Sequence, residues 1–224
     1  MNVLIACECS QTVCGAFRNR GHNAFSCDIE KEYGGHPEWH VQTNCLDIIH
    51  GNCKFFTNDS EEHFVGKWDL IIAHPPCTYL CSCQAPLYNE KKYGTEKVQQ
   101  RRVKQNEAVK FFMIFTYLDT KVAIENPVGC MSSLFRKPDQ IINPYDFGDP
   151  ARKKTCLWLF GLPNLFPTNR VNPEHQHEFK TGYRMGDWMY NTSCLPHKDR
   201  AKARSKTFDG IAEAMAEQWG TMAK

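Results

Sequence analysis

A thiol and a carboxylate standing at the ends of two buried strands can add to an electron-poor ring and steer its charge. In this 224-residue chain those groups are Cys77 and Glu125. Cys77 closes the run Leu70-Ile71-Ile72-Ala73-His74-Pro75-Pro76-Cys77, and Glu125-Asn126 follows Val122-Ala123-Ile124 and precedes Pro127. The thiolate attacks a ring carbon while the acid hydrogen-bonds or protonates a ring nitrogen. Free cysteine is only a few per cent thiolate at neutral pH, so the site is expected to lower the pKa of Cys77, with His74 and nearby basic residues as contributors. The plain alternatives are an inert buried thiol at Cys77 and an exposed strand-end carboxylate at Glu125. Two prolines that stiffen the turn, each fixing its own φ, favour the chemical reading.

These groups need elements to hold them. Apolar runs bounded by breakers read as buried strands at Val3-Leu4-Ile5-Ala6, 23–27, Leu70–Ala73, 122–126 and Thr155–Phe160, with a weaker one at 40–43. Helical patterns cover a short stretch ending near Gly21, then 96–118 and 208–219, the last with Ile211, Met215 and Trp219 on one stripe. Strands alternating with helices predict an α/β, doubly wound, Rossmann-like sheet, whose ligands bind at the carboxyl ends of its strands. Asp28, after the second strand, is either a turn residue or the acid that holds a nucleoside ribose.

The net charge of +2 marks no global nucleic-acid binder, so a basic surface has to be local. Residues 162–206 supply one: eight Lys and Arg stand against four Asp and Glu, a net of +4 that leaves −2 for the remainder. Phe179, Tyr183, Trp188 and Tyr190 interleave with those charges. No apolar run approaches the ~20 residues of a membrane span, and the amino terminus lacks the pattern of a signal peptide. A soluble protein without membrane contact is expected. Twelve cysteines without a CxxC pair read as reduced thiols. Neither Cys77, Cys81 and Cys83 nor His175, His177, Cys194 and His197 has the spacing of a structural zinc site, so no metal is expected.

Together these residues resemble the DNA cytosine-5 methyltransferase family: Pro75-Pro76-Cys77 matches its nucleophile motif and Glu125-Asn126 its Glu-Asn motif, in the same order. The chain is similar to a short phage and prophage form through His74-Pro75-Pro76-Cys77-Thr78-Tyr79-Leu80, Glu125-Asn126-Pro127, Pro138-Asp139-Gln140, Lys154-Thr155-Cys156-Leu157-Trp158-Leu159 and Gly210-Ile211-Ala212. The resemblance implies a methyltransferase of the S-adenosyl-L-methionine-dependent type, acting on single- or double-stranded DNA in a bacterial cytoplasm. Cys77 would add to C6 of cytosine, Glu125 would contact N3 and the exocyclic amine, Asn126 would shape the loop, and Arg152 and Lys154 would serve the base and backbone. Ala6, Cys7, Glu8, Ser10, Gln11, His74 and Pro76 would flank the cofactor, Asp28 with Ile29 its ribose, and Asp47 with Ile48 its adenine; Ser205 and Thr207 would lie near its amino-acid end. The loop 78–94 would close over an extruded base.

Residues 1–161 are then the catalytic core, 162–206 a short basic and aromatic insert for nucleic-acid contact, and 207–224 a helix packing back on the core. The chain departs from the family where a glycine-rich turn is replaced by Cys7-Glu8-Cys9-Ser10-Gln11, where Glu-Asn-Val becomes Glu-Asn-Pro, and where a large recognition domain is missing. A pyrimidine in RNA or a free nucleotide is an alternative substrate. A non-catalytic nucleic-acid-binding protein on the same scaffold is an alternative of another class, with no need of Cys77 or Glu125. An amino-group methyltransferase is disfavoured, because its two prolines precede an aromatic residue where Cys77 stands.

Overall fold

The computed structural model describes residues 1–221; the end of the expected carboxyl-terminal segment, 222–224, lies outside them. Seven strands form the central sheet: β1 (Asn2–Ala6), β2 (Asn23–Asp28), β3 (His40–Gln42), β6 (Leu70–Ala73), β7 (Lys121–Pro127), β8 (Gln140–Ile142) and β9 (Thr155–Phe160). Two hairpins stand apart from it, β4 (Cys53–Phe56) with β5 (Glu62–Val65), and β10 (Gln176–Glu178) with β11 (Arg184–Gly186). The sheet order is β3-β2-β1-β6-β7-β9-β8. Strands β3, β2, β1, β6 and β7 are parallel, and β9 runs antiparallel to both β7 and β8. The expected α/β doubly wound architecture is the one observed.

Alternation along the strands feeds two cores. Val3, Ile5, Leu70 and Ile72 face α1 (Thr12–Asn19) and α7 (Asp209–Gly220), with Phe17, Met215 and Trp219 in the same cluster. Leu4, Ala6, Ile71 and Ala73 face the other side, with Phe112 of α3 (Thr95–Ile114) and Trp158. A period of two, with both faces covered, is why the strands read as continuous apolar runs. Four short helices complete the fold: α2 (Glu90–Tyr93), α4 (Met131–Leu134), α5 (Asp187–Ser193) and α6 (His197–Ser205). The long helix expected over 96–118 is α3, followed by a tighter turn at Phe115–Tyr117.

The chain leaves β1 towards β2 and β3 on one side, while β6 and β7 lie on the other. The switch between β1 and β6 therefore opens a crevice beyond their carboxyl ends, where open α/β sheets bind ligands. Ala6 pairs with Ala73 at that edge, so Cys7 and His74 emerge side by side.

Candidate active site

Cys77 stands four residues past β6, and Glu125 and Asn126 occupy the last turns of β7. Asn126 is buried, and its Nδ2 donates to the Pro75 carbonyl at 2.7 Å, fixing the turn that presents Cys77. The two strand-end loops are joined again further on. Cys130 N donates to the Leu80 carbonyl (2.8 Å) and Ser82 N to the Val128 carbonyl (2.9 Å). Any Cβ at Gly129 would run into the Leu80 carbonyl, so glycine is required there. The stretch expected to be a free loop, 78–94, holds a turn at Ser82–Tyr88 and then α2. Arg101 of α3 pins it, lying 5.1 Å from the Tyr79 ring and 5.4 Å from that of Tyr88.

Cys77 is exposed to an approaching molecule. The cleft walls still strip enough water to push its thiol up; Glu125 pushes further and Lys153 pulls back. The expectation of a lowered thiol pKa is thus corrected: at rest Cys77 is a protonated thiol, because desolvation and a neighbouring carboxylate outweigh a single cation. Glu125 is largely buried. Burial alone would raise its carboxyl, but a hydrogen bond from His74, with Lys153 behind it, holds it below the usual carboxylate range. His74 Nδ1 lies 3.1 Å from Glu125 Oε2. A carboxylate only accepts, so Nδ1 carries the proton. The other ring nitrogen, Nε2, is buried and has no hydrogen-bond partner among the described residues.

Of the basic run 152–154, the middle residue serves this site. Lys153 acts on both Cys77 and Glu125, and its Nζ donates to the Arg204 carbonyl at 2.8 Å. Arg152 is turned to the insert, where its backbone N meets Glu174 Oε1 and its Nε the Glu174 carbonyl; Lys154 is exposed. The sequence signal was the run itself. Which member turns inward depends on the bend into β9.

Two adjoining hollows occupy the crevice and share Cys7, Asp28 and Pro76. The larger, about 390 Å³, is mostly apolar, with Cys27, Ile29, Cys45 and Phe111 in its wall. The smaller, about 180 Å³, is lined by Glu8, Ser10, Tyr33, His74, Ser205 and Thr207 among others. Cys7, Glu8, Ser10, Asp28, Ile29, His74 and Pro76 thus meet at one place, as do Ser205 and Thr207. Ala6 is buried in β1 beneath them. The others do not join them. Gln11 is turned away, its Nε2 donating to the His36 carbonyl at 2.7 Å and its Oε1 accepting from His36 N at 3.0 Å. Ile48 is a core residue, and Asp47 is exposed and accepts from Thr43 Oγ1. Thr43, Asn44 and Cys45 line the larger hollow in their place. A third hollow, about 270 Å³, lies at the opposite strand edge near Lys67 and Thr120, away from Cys77.

The turn after β1 manages without glycine. Cys7 (φ 62°) and Gln11 (φ 59°) take the left-handed conformation that glycine usually supplies, at about 1–2 kcal/mol each. Glu8 offsets part of that cost by capping α1: its carboxylate accepts from Val13 N (2.8 Å), Cys14 N (3.1 Å) and Ser10 Oγ (3.1 Å).

All twelve cysteines are free thiols. Among the described residues one trio of ligating side chains gathers, His175, His177 and Asp187, at the foot of the β10–β11 hairpin. Its closest contact is the His177 Nε2–Asp187 Oδ1 pair at 2.8 Å. Cys194 and His197 do not join it. Among the described residues no helix is long and apolar enough to cross a membrane.

No protein-family model matches the chain, and no curated protein matches it in sequence. Among solved structures it is similar to a proposed DNA modification methyltransferase encoded within an E. coli prophage, at 14% identity and a TM-score of 0.44. The match covers 78% of this chain and 52% of the other, so the chain spans about half the length of that neighbour.

Proposed function

We propose that this chain is an S-adenosyl-L-methionine-dependent methyltransferase that modifies C5 of cytosine in DNA through a covalent bond from Cys77. The observation that carries the reading is the grouping at one crevice of an accessible thiol, a carboxylate held in place by His74, and the cation Lys153. The nucleoside-sized hollow beside them completes it. The hollow's residues fit the cofactor: an apolar wall for the purine, the Asp28 carboxylate at the end of β2 for ribose hydroxyls, and a small polar end at His74. When bound, the cofactor supplies an electrophilic methyl group.

The protein's own groups do the remainder. Lys153 stabilises the thiolate as Cys77 gives up its proton and its sulfur bonds to C6. The electron pair displaced from the ring settles towards N3, which takes up a proton. Glu125, ionised at rest, receives the thiol proton and delivers it to N3, while its other oxygen accepts from the exocyclic amine. The ring's C5 is then rich enough to take the methyl group. A solvent water takes the C5 proton; the electron pair of that bond returns to the ring and expels Cys77 as the thiolate, and N3 returns its proton to Glu125, which passes it back to the sulfur. Atoms and charge balance with no oxidant or reductant. Asn126 keeps the Pro75 turn, and hence Cys77, in register throughout.

The test uses methyl-labelled S-adenosylmethionine with single-stranded DNA, duplex DNA, RNA and dCMP, on wild type and Cys77→Ala. Transfer to DNA should fall by at least ~10³-fold in the variant, and an adduct with 5-fluorocytosine DNA should vanish. Undiminished transfer by Cys77→Ala sinks the covalent mechanism. Transfer confined to RNA or dCMP sinks the DNA assignment and leaves the chemistry.

A further inference from the structure

His74 stands where two sites meet. Its Nδ1–H is spent on Glu125 Oε2, and its side chain is 9% exposed. Nε2 is buried without a partner on a ring that also lines the smaller hollow, and in the neutral ring it presents a lone pair. Three of the hydroxyls around that hollow are occupied elsewhere: Ser10 Oγ donates to Glu8, Ser205 Oγ to the Lys202 carbonyl, and Tyr33 bonds with Ser205. A buried acceptor without a donor is costly and uncommon in folded proteins. A donor on a molecule filling that hollow would satisfy it.

We propose that His74 is a two-sided positioning residue: Nδ1–H orients Glu125, and Nε2 accepts a hydrogen bond from the α-ammonium group at the methionine end of the cofactor. This rests on the functional reading above and deepens it. One ring then links the occupied cofactor pocket to the carboxylate that manages the cytosine ring. The coupling is reciprocal, since any change in Glu125 that moves the imidazole is felt at the ammonium.

Calorimetric titration of the full chain with two ligands tests this without any methyl transfer. S-Adenosylhomocysteine carries the ammonium; 5′-methylthioadenosine has the nucleoside and the thioether but no amino-acid end. His74→Ala should weaken S-adenosylhomocysteine by roughly 10- to 100-fold, the worth of a hydrogen bond to a charged group, and leave 5′-methylthioadenosine within about twofold. His74→Gln, whose amide can donate to Glu125 and accept from the ammonium, should recover most of the loss. Glu125→Gln should shift S-adenosylhomocysteine affinity more than 5′-methylthioadenosine affinity. Equal losses for both ligands in His74→Ala, or no loss for either, would overturn the proposal, the first outcome marking a purely structural histidine. A wild type that binds neither ligand overturns it together with the cofactor reading. Binding of both by a chain that methylates no pyrimidine sinks the cytosine reading alone, and the His74 comparison still decides this one.

Discussion

The strand ends that carry Cys77 and Glu125 are built differently from the segment 162–206 that reaches towards them. On the sheet side, Leu70 to Ala73 and Val122 to Ile124 are buried completely, Asn126 is tied to Pro75, and Gly129 lets one loop close on the other. In the insert only Leu165, Gly186 and Thr192 are buried, and α6 buries no residue at all. The insert is held by polar contacts. Arg204 donates to Thr192 Oγ1, Ser193 Oγ and the Met189 carbonyl, joining α6 to α5. Rigid apolar packing thus fixes the reacting groups, while a hydrogen-bonded, solvent-exposed segment carries the positive charge. The two meet at Lys153, which leaves the core side, packs beside Trp188 and Phe208, and anchors on the Arg204 carbonyl. On the proposed function, a polymer lying on the insert would act on Lys153 without touching the sheet.

The largest expected effect that breaks this division is at Glu125. Glu125→Gln keeps the shape and the packing of β7 but removes the group to which the proposed mechanism gives the proton relay, and general acid–base work of this kind is worth about 10²–10⁴ in rate. Methyl transfer should fall by that factor with the thermal midpoint nearly unchanged. A variant that retains full transfer assigns the proton to another group; one that unfolds shows the carboxylate to be structural.

The comparison also explains what could be read from the sequence. Leu70–Ala73 and Thr155–Phe160 were legible to the residue, since each is an unbroken apolar run between breakers. The β4–β5 hairpin was missed because just Phe55 and Val65 turn inward, while Phe56 and Phe64 are exposed. Strands β8, β10 and β11 have three residues each, too few to show a period. At the site, Cys77, Glu125 and Asp28 were legible as polar groups at, or a short turn beyond, the ends of buried apolar runs. Lys153 was not, because three basic residues in a row differ only in which way each points. Of the residues read as cofactor contacts, Glu8 lines the smaller hollow but also has a second task, and Gln11 is turned away. The structure spends Glu8 on the α1 amino terminus and Gln11 on His36, tasks set by the left-handed turn at Cys7 and Gln11 that no pattern announces.

A smaller effect sharpens the place where the regions meet. Cys77 is raised by burial and by Glu125 and lowered by Lys153. The free protein should therefore gain thiolate, and on the proposed function kcat/KM with it, as pH rises past the ordinary thiol range. Lys153→Met removes the lowering influence, so the rising limb should move to still higher pH. Less thiolate is then present at neutral pH, a loss partly returned because a more basic thiolate is more nucleophilic, so kcat/KM should fall, but by less than the thiolate fraction does. Iodoacetamide alkylation of Cys77 against pH reads the same shift with no substrate present. An unshifted profile would show that Lys153 acts on DNA alone.

The smallest effect concerns the outer face of the insert, where the cations are not equivalent. Arg204 is spent on α5, Arg200 donates to the Leu195 carbonyl, and Lys206 pairs with Asp209 at 3.2 Å. Lys202 rests over the Tyr33 ring at 5.2 Å, and Lys198 is exposed on the same helix. Neutralising Lys198 and Lys202 together should leave the fold and Cys77 alkylation untouched. If both meet phosphates, the slope of log affinity against log salt should flatten by about 1.4 on single strands and about 1.8 on duplex DNA. The loss should be the same for every sequence, because phosphate contacts position without reading bases. A loss that depends on sequence would make α6 a reader of bases, and the insert a recognition element rather than an electrostatic rail. An unchanged slope would move the polymer to the other wall, where Arg101 and Lys104 of α3 lie beside Tyr79.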